Sequence, residues 1–400
     1  MQRTFLSDSN NDYKLLENFL REGKFGKMPD HESNKAQFDP LNQEFITNAV
    51  HSQNPGLFGS YSASELADLK RTLEETVLPT RYDSVSAFNL INGLVEEVKR
   101  AAAELGADIT LFPLYATVPT GRVNATAVNI PGASKPFLLF DGQLLTFCHL
   151  ISKIYATSFV TTKNGDMRSF STDLSTITKK ISAHPEIVSR LAGVLTAFIR
   201  TGRPATSKPF PVDLDSIGLV ECLRKSMEIF VIAHEFGHVY AGHLNNFLPM
   251  NAFPSDSNVS PQHKKEYEAD YIGLVLTLAV LTKEGYDVAL SIIGVKLFFS
   301  ILDLANRYAD FIKSGVKKKF VSTPSDSHPS NEQRRIAIDL GLNALKLENE
   351  EILRSKSLCE VFDKITHIFW QSLTQPTKKT GRNDQCLCGS GRKYKSCCMS

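Results

Sequence analysis

The sequence predicts a mainly helical α+β fold with a small sheet, closed by a small cysteine-bearing tail. Three observations predict it. Most of the chain carries apolar residues at helical spacing, and only two short runs, flanking Pro131-Gly132, read as strands. His234 and His238 stand at i and i+4 inside one apolar run, so a helix would set both on one face. Four cysteines, Cys386, Cys388, Cys397 and Cys398, crowd the last fifteen residues. At 400 residues, 42% of them hydrophobic, the chain can bury one large or two medium cores. The divisions it suggests are a polar, patchily helical segment at 1–75, a large domain at 76–373, a linker at 374–385 and a cysteine motif at 386–400.

Residues 12–21 and 63–78 carry weak helical patterns. The sequence leaves open whether the first segment packs on the large domain or covers it like a propeptide. Residues 84–105 read as an amphipathic helix whose polar face bears Glu96, Glu97, Lys99 and Arg100. Val123-Asn124-Ala125 and the run from Phe137 to Gly142 read as two strands around a turn. Residues 142–160 form a further helix and 172–200 a helical pair. Pro204, Pro209 and Pro211 mark a loop over 203–212. The histidine helix begins near Ile217. Residues 245–265, rich in Asn, Pro and Ser, read as a loop before the helix that carries Glu266. The apolar runs near 272–281 and 288–304 are broken by Lys283, Glu284, Lys296 and Asp303, so they read as core helices too short or too interrupted to span a bilayer. Lys317-Lys318-Lys319 reads as a solvated face, and 331–373 as helical.

The chemistry concentrates at His234-Glu235-Phe236-Gly237-His238. Two imidazoles one turn apart on the same helix face can reach a single metal ion, and the intervening Glu235 points near its open side, where water would sit. A carboxylate inside an apolar helix is costly without a partner, which favours a metal over a pair of satisfied core histidines. A catalytic zinc takes three protein ligands. His243 is near in sequence, but nine residues beyond His234 it falls about half a turn out of register at roughly 100° per residue. It reads as a residue at the helix end, where a cation suits the dipole. Glu266 and Asp270 offer a better source: again i and i+4, they set two carboxylates on one face of a second helix. One can bind zinc while the other fixes a ligating histidine through its far nitrogen. Glu268 is the rival ligand, off that shared face.

His-Glu-x-x-His followed by Glu-x-x-Ala-Asp resembles the gluzincin metallopeptidases, especially the HtpX-like heat-shock peptidases and the CAAX prenyl proteases. The resemblance implies a zincin-like metallopeptidase domain with Glu266 as third ligand, Asp270 as partner of His234 and Glu235 as general base. Ser327-His328-Pro329-Ser330-Asn331-Glu332-Gln333-Arg334 is similar to the His-Pro-x-x-x-x-Arg segment of the same group. That likeness implies an oxyanion role for His328, with Tyr267 as an alternative, and an orienting role for Arg334; the same residues also suit a capped, Pro-initiated helix start. The Asn124-Ala125 segment matches the family's edge strand, which binds extended peptide through main-chain hydrogen bonds, although Thr126 stands where an aromatic is usual. The likeness covers residues 120–345.

The tail has the pattern Cys-x-Cys, eight residues, Cys-Cys, and four thiolates close a tetrahedral structural zinc site. Residues 381–398 resemble the SEC-C motif, the zinc-binding tail of the SecA translocation ATPase, with Gln385 and Leu387 where proline is usual. In that family the tail is an adaptor that docks other proteins or the ribosome. Lys378, Lys379, Arg382, Arg392, Lys393 and Lys395 make it basic, which suits an acidic or phosphate-rich partner.

The sequence thus leads to a soluble zinc endopeptidase with two zincs, one catalytic at His234, His238 and Glu266 and one structural at the four tail cysteines. Its substrate would be a protein or peptide, with a protein or the ribosome docked on the tail. Two other readings remain: an inactive or tightly regulated scaffold with structural zincs, and a defence- or toxin-type protease with one cellular target. The formal charge of +2 gives no indication of specific nucleic-acid binding. The polar first residues lack a signal-peptide core, so cytoplasmic residence is expected, with Cys148, Cys222 and Cys359 as free thiols in the core. Membrane-embedded relatives are not matched in this respect.

Overall fold

The computed structural model describes residues 4–23, 64, 67–68, 71–72, 75–120, 124–164, 167–245, 259–314, 328–345, 347–374, 382–383 and 392–396. Its centre is the histidine helix. In chain order the described elements are α1 (Asn11–Arg21), α2 (Val85–Glu104), β1 (Leu114–Thr117), β2 (Ala125–Val128), β3 (Phe137–Phe140), α3 (Gly142–Ser158), β4 (Thr161–Asn164), β5 (Met167–Phe170), α4 (Leu174–Ala183), α5 (Pro185–Thr201), α6 (Ile217–Tyr240), α7 (Pro261–Lys283), α8 (Val288–Ser314), α9 (Asn331–Ala344) and α10 (Asn349–Leu373). The fold is mainly helical with a small sheet, as the sequence predicts.

Helix α6 is largely apolar and buried from Leu219 to Gly237, with only Glu221, Arg224 and Lys225 partly exposed in that stretch. Such a helix must be enclosed by other elements. Its N-terminal half, through Leu219, Leu223 and Met227, joins a core built with α3, α5, α8 and α10. Its C-terminal half, through Ile229, Ile232, Ala233 and Phe236, packs against α2, α7 and the sheet.

The sheet has the order β1-β3-β2, with β3 parallel to β1 and antiparallel to β2. All four residues of β3 are buried because both faces are covered. Leu138 and Phe140 face α2 and α6, while Phe137 and Leu139 face α1, the alternation that a period of two requires. Helix α1 therefore lies on the sheet, with Tyr13 edge-on to Phe137 at 5.6 Å. Phe5 forms a parallel bridge with Leu78.

Several expectations need correction. The second helix of the first segment does not reach 78: residues 64, 67–68, 71–72 and 75 are helical, whereas residue 78 pairs with Phe5. Strand β1 has no counterpart in the sequence reading, because a parallel strand has no adjoining hairpin turn to reveal it. The β4–β5 hairpin falls between the helices expected at 142–160 and 172–200, on residues for which the sequence suggests no element. Helix α7 begins at Pro261, inside the expected loop, where Ser260 accepts from the His263 amide at 3.2 Å. Its first turns carry Gln262, His263, Lys264 and Lys265, too polar for an apolar period to register. Helix α8 is, among the described residues, the one helix long and apolar enough to cross a membrane, although 72% of its most apolar stretch is buried inside the fold. Lys296 does not interrupt it, because Asp339 receives its ammonium at 2.9 Å. Cys148, Cys222 and Cys359 are free and buried, as expected. The four tail cysteines, Lys317–Lys319 and most of the linker lie outside the described residues.

Helices α6 and α7 make the broadest contact of any pair, and small residues permit it. A Cβ on Gly237 would stand 3.1 Å from the backbone of Ala269, and one on Gly273 would stand 3.2 Å from the His234 amide nitrogen. Gly273→Val is therefore expected to cost about 1–3 kcal/mol through overpacking. A thermal melt of the variant that matches wild type would show slack at this crossing.

Candidate metal centre

Because α6 and α7 touch so closely, their functional faces meet. Helix α6 presents His234, Glu235 and His238, and α7 presents Glu266 and Asp270. The Nε2 atoms of His234 and His238 lie 3.1 Å apart. Glu266 reaches both, with Oε2 at 3.7 Å from His234 Nε2 and Oε1 at 3.4 Å from His238 Nε2. One ligand atom from each of the three residues falls within 4.8 Å of the others. The structure thus brings the predicted triad together.

The surroundings of this triad are ordered by charge. Asp270 accepts from His234 Nδ1 at 2.9 Å. Arg334, from α9, clamps the same carboxylate with Nε at 2.8 Å and Nη2 at 2.5 Å, and the guanidinium lies over the Phe299 ring at 4.6 Å. A capping box places that arginine. Ser330 accepts from the Gln333 amide at 3.2 Å and its own amide donates to the Gln333 side chain at 2.9 Å, which fixes the start of α9. Arg334 follows one turn later.

Burial acts on each titratable group, and its partners decide the outcome. Burial lowers the pKa of His234, yet the hydrogen bond and charge of Asp270 hold it above the ordinary value. Burial drives His238 far below its ordinary value, so this ring is neutral. Burial also pushes Glu235 up; the Glu266 charge adds to this, against the pull of His234, Arg334 and the Ala127 backbone amide. Asp270 sits below its ordinary value despite burial, because Arg334 and His234 favour its charged form.

Glu235 lines a cleft of about 420 Å³ together with His234, His238, Glu266, His328 and Arg334. The opposite wall is the edge strand β2, with Asn124, Ala125, Thr126 and Ala127, and its apolar floor includes Phe230, Phe298 and Leu302. His328 stands at the mouth, its side chain 61% exposed and its Nε2 3.7 Å from Glu266 Oε1. Tyr267, the alternative oxyanion donor, does not line this cleft.

His243 sits elsewhere than the sequence implied, past the helix end, while Glu268 stays off the shared ligand face as read. Helix α6 stops at Tyr240, and Gly242 takes a left-handed φ of 71°, turning the chain back under the site. His243 is consequently buried, its pKa lowered chiefly by burial, with its Nδ1 2.9 Å from His238 Nδ1. Glu268, the rival ligand, is buried too and meets His243 Nε2 at 2.9 Å, away from the triad. Phase arithmetic missed this pair because it continued a helix that Gly242 ends; the Ala241-Gly242 dipeptide before His243 was the available signal.

The residues fit a divalent ion on their own chemistry. Glu266 Oε2 is buried and has no hydrogen-bond partner, an expensive condition for a carboxylate oxygen. It faces two imidazole nitrogens, the donor set that zinc prefers.

Comparison with known proteins reaches the other end of the chain. Residues 382–400 match the model of the SEC-C motif, which supports zinc binding in the tail. Two proteins of Legionella pneumophila, from strains Lens and Philadelphia 1, are 33% identical to the chain over 101 residues. Both are the protein translocase subunit SecA, and the alignment takes in 25% of this chain and 10% of each relative. The chain therefore spans about a tenth of the length of these curated relatives. No solved structure matches it.

Asp270→Ala would leave Arg334 as a buried, uncompensated cation and His234 without its Nδ1 partner. The expected loss is about 3–5 kcal/mol of stability and roughly 10–100-fold in metal affinity at the triad. Denaturant unfolding and competition with a metal chelator measure the two separately. An affinity that stays at the wild-type level would remove Asp270 from the metal centre.

Proposed function

We propose that this chain is a zinc-dependent endopeptidase of the gluzincin kind, working on protein or peptide in the cytoplasm, with a second zinc in its tail. One observation carries the reading: two imidazole nitrogens and an unpartnered, buried carboxylate oxygen converge on the cleft that also exposes Glu235. His234, His238 and Glu266 would hold the catalytic ion. When bound, zinc polarises the scissile carbonyl and acidifies the attacking water.

The protein's own groups supply the rest. Substrate backbone would lie along β2, which among the described residues is an edge strand with no strand partner on its outer side; an extended peptide binds such an edge by main-chain hydrogen bonds. Glu235, with its raised pKa, takes the proton of the attacking water and passes it to the leaving amine nitrogen as the carbon–nitrogen bond breaks. His328 is the exposed group at the mouth and would donate to the oxygen of the tetrahedral intermediate. Arg334 acts from behind, holding Asp270 and through it His234. The SEC-C motif would serve as an adaptor for a protein partner or the ribosome. The SecA match supports a protein partner in general terms.

Elemental analysis should find about two zincs per chain. Truncation before Lys378 should remove one and leave hydrolysis intact. Glu235→Gln should retain both zincs and lose cleavage of a protein substrate, whereas His234→Ala should lose one zinc and cleavage together. A proteome-wide comparison of cleavage products between wild type and Glu235→Gln reads this directly. Identical product sets would leave the inactive-scaffold reading in its place.

A further inference from the structure

We infer that His243 and Glu268 are positioning residues for His238, fixing which of its two ring nitrogens carries the proton. The inference rests on the metal-centre reading above but concerns residues outside the triad. It follows from the order in which donors and acceptors must alternate. Glu268 is a carboxylate and accepts only, so His243 Nε2, 2.9 Å away, donates to it. In the neutral ring His243 Nδ1 is then the acceptor. His238 Nδ1, at 2.9 Å from that atom, must be the donor. The proton of His238 is thereby assigned to Nδ1, and its Nε2 turns a bare lone pair toward Glu266 and His234.

The first imidazole reaches the same state by a different route. His234 Nδ1 donates to Asp270, so in the neutral ring its Nε2 carries the lone pair, with Arg334 Nη2 3.4 Å away. With both rings neutral, two lone pairs face each other 3.1 Å apart, a repulsion that a cation between them relieves. Each ligating histidine thus has its own orienting carboxylate: Asp270 acts directly on His234, and Glu268 acts through His243 on His238. Outer partners of this kind raise ligand basicity and hold the ring plane.

The supporting loop is built for the task. Gly242 makes the turn, Lys265 of α7 donates to the His243 carbonyl at 3.0 Å, and Asn129 donates to the next carbonyl, that of Leu244, at 3.3 Å. The backbone is tied on both sides of the cleft. Both His243 and Glu268 are buried, so water does not substitute for either.

The test uses the full chain, with zinc as the probe. Chelator competition resolves the bound zincs, and His234→Ala identifies the class belonging to the triad. His243→Ala is expected to weaken that class roughly 10–100-fold and leave the tail zinc unchanged. His243→Asn, whose amide oxygen can accept from His238 Nδ1, should recover most of the loss, a rescue that simple loss of packing would not show. Nitrogen-15 NMR of labelled histidines in the metal-free chain supplies a readout independent of metal: His238, assigned by its absence in His238→Ala, should show a protonated Nδ1. A protonated Nε2 there, or undiminished zinc affinity in His243→Ala, overturns the inference. If wild type holds no zinc at the triad, the metal reading fails, while the NMR result still decides the positioning of His238.

Discussion

The close crossing of α6 and α7 is the constraint on which the rest depends. A ligand set split between two helices works only if their axes approach to within reach of a histidine and a glutamate side chain. Gly237 lies against the Ala269 backbone and Gly273 against the His234 backbone, so each helix carries its own small residue opposite the other's functional turn. This reciprocity sets the separation at the level of the metal centre. The apolar residues above it, Phe230 and Leu274 among them, then hold the crossing rigid through the dense packing of the interior.

Bringing these faces together creates an electrostatic problem that the surroundings only partly solve. Glu235, Glu266 and Asp270 are all buried, and the guanidinium of Arg334 is the cation that faces them from α9. Asp270 takes two hydrogen bonds from that guanidinium, which leaves Glu266 Oε2 without one, 3.6 Å from Arg334 Nη2. The opposite shifts of the two imidazoles reflect their different partners: His234 is drawn up by Asp270 against its burial, whereas His238 has no carboxylate so placed and burial pushes it down. Burying unbalanced charge lowers stability. A site that retains this imbalance is arranged for a ligand of positive charge rather than for stability alone.

Local geometry was the legible part of the sequence. Spacings of four place His234 with His238, and Glu266 with Asp270, on one helix face before any fold is known. The apolar periods of α2, α3 and α6 and the turn at Pro131-Gly132 are equally local. What escaped was whatever depends on two distant segments meeting. Strand β1 exists as a strand only because β3 lies beside it. Gly237 and Gly273 look like helix-weakening residues until the helices are docked. His243 was misjudged by assuming a continuous helix, when one left-handed residue reverses the chain and converts a helix-end position into a buried partner of His238.

Family likeness and chemistry fall on different stretches of this chain. The matched motif begins at residue 382, beyond the end of α10 at Leu373, whereas every residue of the metal centre lies between 234 and 334. The tail therefore says nothing about what the cleft does, and the cleft nothing about what the tail docks. The link between them is architectural. Helix α10 packs on α8 through Phe362, Ile365 and Phe369, and α8 contributes Phe298 and Leu302 to the cleft floor. A partner held at the tail would thus be tethered to the helix layer that backs the cleft through the linker at 374–385. Such a tether raises the local concentration of whatever it carries without any contact in the cleft itself, so on the proposed reading the choice of protein would be set at the tail rather than in the cleft.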